Sequence, residues 1–213
     1  MEYALQTLDL SVVFGSRAEP VTALDKLNLQ VETGQVVGFL GPNGAGKTTT
    51  MHVLLGFIAP TSGEARLFGE DVSRTIARRR IGYLPEHPDT YKFLSGRELL
   101  RMTGRLFNIG GKQLSARIDE ILALVDISDA ADRRIATYSR GMMQRICLAQ
   151  SLINDPDLVI LDEPTGGLDP IGRMDIRNII ADLKNRGKTV FFSSHELSEV
   201  ELVCDHLAIL AKG

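Results

Sequence analysis

Gln35-Val-Val-Gly-Phe-Leu40-Gly41-Pro-Asn-Gly-Ala-Gly-Lys47-Thr48-Thr49 joins an apolar, strand-like run to a glycine-rich turn and then to a helix-patterned segment. Gly41, Gly44 and Gly46 allow backbone conformations and approach distances that a Cβ would block, so successive amide N–H groups can converge on phosphate oxygens. Those amides also stand at a helix N-terminus, where unpaired donors and the macrodipole favour anions. Lys47 adds a positive charge for the β- and γ-phosphates and counts as both a binding and a catalytic group, while the Thr48 hydroxyl suits Mg²⁺. The candidate phosphate-binding set is therefore Gly41, Asn43, Gly44, Ala45, Gly46, Lys47, Thr48 and Thr49. Read without its flanks the stretch would be a glycine turn; strand before and helix after favour the cradle.

Leu158-Val-Ile-Leu-Asp162-Glu163-Pro164 is a short apolar run ending in two carboxylates, the pattern of a buried strand that delivers charge at its carboxyl end. Side chains alternate along a strand, but a turn begins at Pro164, so Asp162 and Glu163 can present separate carboxylates to one phosphate. Asp162 is assigned to the metal through water, and Glu163 to general-base or water-orienting duty. Alone the pair would read as a solvated strand end; the glycine-rich loop reverses that preference.

Shortly before this strand lies Tyr138-Ser139-Arg140-Gly141-Met142-Met143-Gln144-Arg145. With the two earlier motifs, it makes the chain resemble the nucleotide-binding subunits of ATP-binding-cassette (ABC) transporters, whose signature is Leu-Ser-Gly-Gly-Gln. Ser139 and Gly141 keep that pattern; Tyr138, Arg140 and Met142 depart from it. Ser139 can cap a helix running to about Asn154. The resemblance implies that Ser139 and Gly141 face the γ-phosphate of ATP held by a second subunit. It also implies that Asp169, in Gly167-Leu168-Asp169-Pro170, meets that subunit; an Asp N-cap followed by Pro is the plain alternative, and both can hold. His195, after Thr189-Val-Phe-Phe-Ser-Ser194, resembles the switch histidine that contacts the γ-phosphate and helps orient water. Phe14 sits where the family places a ring that stacks on adenine, although a core phenylalanine reads nearly as well. His52, His87 and His206 are given no role.

Ile81-Gly-Tyr-Leu-Pro85-Glu86 carries a carboxylate where many family members carry glutamine. Glutamate keeps an oxygen for Mg²⁺ and water, so Glu86 is placed in both the catalytic and metal sets, but it adds negative charge beside phosphates.

The 213 residues, 44% hydrophobic and 24% charged, suit one large domain or a core with a subdomain. A net charge of −3 argues against a broad nucleic-acid footprint, and the basic runs at 78–80 and 133–134 read as solvated faces. Cys147 and Cys204, in helix-patterned segments, read as small buried hydrophobes in a reducing compartment. The N-terminus lacks the basic start and apolar centre of a secretory signal, and no apolar stretch approaches a bilayer span.

The spacing predicts strands over 3–14 and 26–33 around a loop Gly15–Pro20, a helix after Lys47 closed near Pro60, and a strand to Phe68. It predicts helices from about 87 to 155, with Ser95–Glu98 as a capping box. Strands at 158–162, 189–194 and 207–211 then alternate with helices at 170–186 and 196–204. The expected fold is α/β: a P-loop NTPase core with a mainly parallel sheet (1–86 and 156–213), an N-terminal antiparallel β subdomain and an inserted helical signature subdomain (87–155). All of 1–213 is expected to be one ABC ATPase domain. Relative to the family, a chain stopping at Ala211-Lys-Gly213 is expected to be shortened.

The resemblance implies ATP and Mg²⁺ as cofactors and a head-to-tail dimer, homomeric or with a paralogue. It also implies transmembrane permease subunits as partners, at the cytoplasmic face of the membrane, and exporter-type kinship. The rival expectations are a soluble ABC ATPase acting on nucleic acid or ribosomes, and a regulatory subunit with little turnover.

Overall fold

The computed structural model describes residues 2–16, 19–211 and 213. Arg17 and Ala18, inside the expected first loop, lie outside that set, as do Met1 of the N-terminal segment and Lys212 of the closing tripeptide.

Two sheets share the work. The antiparallel one has the order β2-β1-β4-β5, built from β1 (Tyr3–Ser16), β2 (Glu19–Glu32), β4 (Ser62–Leu67) and β5 (Glu70–Asp71). The parallel one has the order β6-β7-β8-β3-β9, from β3 (Val36–Leu40), β6 (Ile81–Leu84), β7 (Leu158–Leu161), β8 (Thr189–Ser194) and β9 (His206–Ile209). Every residue of β7 and β8 is buried, as expected of strands covered on both faces. Alternation divides the side chains of β3: Val36 joins a core shared with the helices, whereas Val37 and Phe39 join one shared with the antiparallel sheet.

The helices are α1 (Lys47–Leu54), α2 (Thr75–Arg78), α3 (Gly96–Leu106), α4 (Gly111–Leu124), α5 (Arg140–Ser151), α6 (Pro170–Asn185) and α7 (Leu197–Glu201). Leu114, Ile118, Ile121 and Leu122 form the buried face of α4 and pack with Leu99 and Leu100 of α3 and Ile146 of α5. The capping box at the start of α3 is reciprocal. Ser95 Oγ accepts the Glu98 N–H at 3.2 Å, and Glu98 Oε2 accepts the Ser95 N–H at 2.8 Å.

Two boundaries differ clearly from the sequence expectation. β2 starts at Glu19, not 26, and its Pro20 pairs with Gly15. This is an edge strand whose first four residues are exposed on both faces, so it shows no alternation to read and tolerates a proline. α7 covers only Leu197–Glu201, so Cys204 lies in the following turn, and not in a helix. Asp205 ends the helix by bonding β3: its N–H donates to Val36 O at 2.8 Å, and its carboxylate accepts the Val36 N–H at 2.9 Å. Of the basic runs, Arg80 is engaged by Asp157 at 2.5 Å and stacks over the Phe68 ring at 4.0 Å.

Two outcomes are expected. Ser95→Ala should cost about 1 kcal/mol and lower Tm by about 2–4 °C in thermal unfolding. Burial pushes the thiols of Cys147 and Cys204 up to about 12, so both should resist a thiol reagent at pH 8 until denaturant is added.

Candidate functional site

Parallel packing brings four strand ends to one edge. β3 runs into the glycine-rich loop, β6 toward Glu86, β7 into Asp162 and Glu163, and β8 into His195. The carboxyl ends of parallel strands are where open α/β sheets bind ligands. A cleft of about 530 Å³ lies there, lined by the loop from Pro42 to Thr49, by Glu163 and His195, and by Glu86.

Gly46 sits at φ 108°, just before α1, and a Cβ there would collide with Ala23 O and the Leu24 side chain; that position requires glycine. Asn43, Gly44, Gly46, Lys47, Thr48 and Thr49 line the cleft. Gly41 and Ala45 do not. Gly41 donates its N–H to Ser194 O at 3.2 Å, and buried Ala45 donates to Pro42 O at 3.2 Å, so both shape the loop from behind.

Asp162 is 1% exposed. Its Oδ1 accepts the Ser193 hydroxyl at 2.6 Å, and its Oδ2 accepts the Thr48 hydroxyl at 2.9 Å. Glu163 follows with φ 48°, a left-handed conformation unusual for a residue with a long side chain. Its N–H donates to Ser193 Oγ at 2.8 Å, which holds the strained peptide. The Glu163 carboxylate lies between two cationic or ionisable groups. Oε2 is 2.8 Å from His195 Nδ1; Oε1 is 3.3 Å from Lys47 Nζ, an ion-pair contact without hydrogen-bond geometry, and has no hydrogen-bond partner. Lys47 Nζ also donates to Gly41 O at 2.6 Å and Pro42 O at 3.3 Å. Lys47 and Glu163 are both under a tenth exposed, so this pair is little screened by water.

Glu86 is exposed on the cleft wall, its carboxylate 3.7 Å from His87 Nε2. Tyr83, on the strand leading to it, registers the local charge: burial first, then the Asp162 and Glu86 carboxylates, push its hydroxyl up to about 12. Neither Ser139 nor Gly141 lines the cleft. Ser139 Oγ accepts the Met142 N–H at 3.2 Å and so caps α5, its residue exposed. Asp169 caps α6 through the Gly172 N–H at 2.9 Å, with Pro170 at the first helical position. Phe14 stands 42% exposed near the turn end of the β1–β2 hairpin, paired with Val21 and outside the cleft lining.

Sequence reasoning gave no site role to Arg140, Ser193 or His87. Arg140 and His87 line the cleft. Ser193 was hidden in an apolar run, although two serines closing a buried strand just before His195 are a polar signal. Arg140 was visible as a departure from the signature, and His87 as the neighbour of Glu86.

The family model described as ABC transporter matches residues 24–166, more than half of the chain. An uncharacterized ABC transporter ATP-binding protein of Nostoc sp. is 48% identical over 197 residues, which make up 92% of this chain and 59% of that protein. The chain therefore spans less than two thirds of that relative's length. The Nod factor export ATP-binding protein I of Cupriavidus metallidurans is 38% identical over 215 residues, covering 100% of this chain and 70% of its own length. The solved structure of cbiO1 from Clostridium perfringens, part of the ABC transporter complex cbiONQ, matches with a TM-score of 0.87 at 27% identity, over 99% of this chain and 85% of that one. With a family model over more than half of its length and relatives of this identity, the chain belongs to the ABC transporter family.

Proposed function

We propose that the chain hydrolyses ATP to energise an ABC exporter, working as a head-to-tail pair of cassettes docked on separate transmembrane subunits at the cytoplasmic face of the membrane. The observation that carries this reading is the buried Glu163 carboxylate, held between Lys47 and His195 beside the phosphate loop. The membrane partner is supported by the likeness to cbiO1, itself part of a transporter complex, and the exporter direction by the Nod factor export relative. The dimer is supported by the placement of Ser139 and Gly141 outside the cleft that holds Lys47. A second copy would bring these two residues over the γ-phosphate from the opposite side. Asp169 would meet the same copy, and Phe14, being exposed, would be free to stack on adenine.

The residues divide the chemistry. Loop amides from Asn43 to Thr49 bind the phosphates, and the α1 N-terminus adds its dipole. Lys47 now donates to Gly41 O and Pro42 O and pairs by charge with Glu163. A γ-phosphate, carrying more charge than two carbonyls, would draw that ammonium away and leave Glu163 without its cation. The freed carboxylate then takes a proton from water while His195, bonded through Nδ1, keeps it aimed and turns Nε2 toward the phosphate. The hard oxygens of Thr48 and Asp162, already 2.9 Å apart, fit Mg²⁺, with Glu86 on the facing wall as a further oxygen. When bound, that ion would offset phosphate charge and polarise the transferred group.

Glu163→Gln should keep ATP affinity, lose turnover by roughly 10²–10⁴-fold and accumulate as an ATP-bound dimer in size-exclusion chromatography with light scattering. Full phosphate release by that variant would remove Glu163 from the base role. Lys47→Ala should weaken nucleotide binding by about tenfold or more, as a loss of about 1.4 kcal/mol or greater in a fluorescence titration.

A further inference from the structure

The signature helix holds the loop that follows Glu163 by two side chains on one face. Arg140 and Gln144 are four residues apart on α5, so they project in the same direction. Gln144 Nε2 donates to Pro164 O at 2.9 Å, and this side chain is buried. Arg140 Nη2 donates to Gly166 O at 3.1 Å. The guanidinium also packs closely against Gly167: that residue has φ 66°, and a Cβ there would run into Nη1, Nη2 and Cζ of Arg140. Two carbonyls, two residues apart, are thereby fixed to one helix.

The far end of the same loop is held from the other side. Arg173 of α6 donates through Nε to Leu168 O at 3.2 Å and pairs through Nη1 with Glu196 at 2.6 Å. Glu196 adjoins His195, and His195 Nδ1 meets Glu163. The chain from Glu163 to Leu168, then Arg173, Glu196 and His195, closes a ring that returns to Glu163. A displacement of α5 relative to this ring must either break the two carbonyl bonds or carry Glu163 with it.

We propose that Arg140 and Gln144 are positioning residues that fasten the start of the signature helix to the loop after Glu163, so that seating of α5 sets the placement of the Glu163–His195 pair. This rests on the ATPase reading above for its functional consequence, but not for the fastening itself. In the head-to-tail arrangement, Ser139 at the start of the same helix meets the other subunit's nucleotide. The grip would therefore report occupancy of that site to this chain's own base. Arg140 suits the task where glycine could not: its guanidinium donates to the Gly166 carbonyl and fills the space beside the Cβ-less Gly167.

The test uses the full chain and reads two quantities. Hydrogen exchange reports the amides of Gly166 and Leu168, which now donate within the loop to Glu163 O at 2.9 Å and Thr165 O at 3.2 Å. Phosphate release with MgATP reports kcat and KM. Arg140→Gly, which restores the residue of the family pattern, should speed exchange at both amides by about fivefold and lower kcat by a similar factor, the scale of one partly exposed charge-assisted bond. KM should change less than twofold, since no phosphate contact is lost, and the unfolding midpoint should hold. Arg140→Lys should recover only part of both effects, because an ammonium lacks the fork. Exchange that stays at the wild-type rate overturns the grip, whatever happens to kcat; faster exchange with unchanged kcat overturns its link to Glu163. A wild-type protein with no phosphate release would defeat the ATPase reading, and the exchange rates would still decide the fastening.

Discussion

A sealed carboxylate organises this molecule. Asp162 is almost wholly removed from water, and a charge so placed is tolerated only if its oxygens are paired. The two hydroxyls that pair it come from different elements: Ser193 from β8 and Thr48 from α1. One side chain thus ties the end of β7 to its neighbouring strand and to the helix that follows the phosphate loop. Shift any of the three elements, and a buried charge loses a partner at a cost of about 1–3 kcal/mol or more. The register of the sheet and the position of the phosphate loop are therefore not independent facts.

Ser193 carries a second duty that extends this constraint into the chemistry. The same hydroxyl that donates to Asp162 accepts the Glu163 N–H, and it does so where Glu163 has a backbone conformation that L-residues avoid. Strain of this kind costs about 1–3 kcal/mol and persists only when the surroundings over-determine it. Here the strain reverses the usual consequence of strand alternation. Asp162 turns into the sheet edge, and Glu163, which would otherwise point to the opposite face, comes round to Lys47 and His195. Adjacent acids acquire separate surroundings, one locked and one responsive.

How much of this was legible beforehand follows from which interactions are local. The glycine-rich loop, the paired acids, the capping box at Ser95 and the proline-led cap at Asp169 are each written within a few residues, and each appears in the fold at its expected place. β7, β8 and α6 were also readable to within a residue or two at their ends, because full burial leaves continuous apolar runs and amphipathic spacing. The early start of β2 was not readable, since its pairing with β1 extends into solvent and leaves no hydrophobic period. The helix expected at 196–204 is present as α7, but its early end was not readable, because the chain beyond it is held by Asp205 bonding to Val36, 169 residues away in sequence. Within the cleft, Ser193 and Arg140 act on residues tens of positions distant, Arg140 reaching Gly166 across 26 residues. Composition and spacing carry no record of such pairings; only the assembled sheet brings them together.

Arg140 and Glu86 bear on each other in a way neither shows alone. Each replaces an uncharged residue of the family pattern, one by a cation and the other by an anion, and both line the same cleft. Their formal charges cancel, so the summed field that an incoming nucleotide meets at a distance changes little. Close in, the effect is not neutral, because the two charges sit on different bodies. Glu86 belongs to the segment leading out of β6, where its charge is felt by Tyr83; Arg140 belongs to the start of α5 and is occupied by the loop after Glu163. A phosphate is repelled by the first and attracted by the second, whose bond to the neutral Gly166 carbonyl leaves its positive charge intact but fixes where that charge sits. The substitutions therefore preserve the charge of the site while making its balance depend on the position of the signature helix.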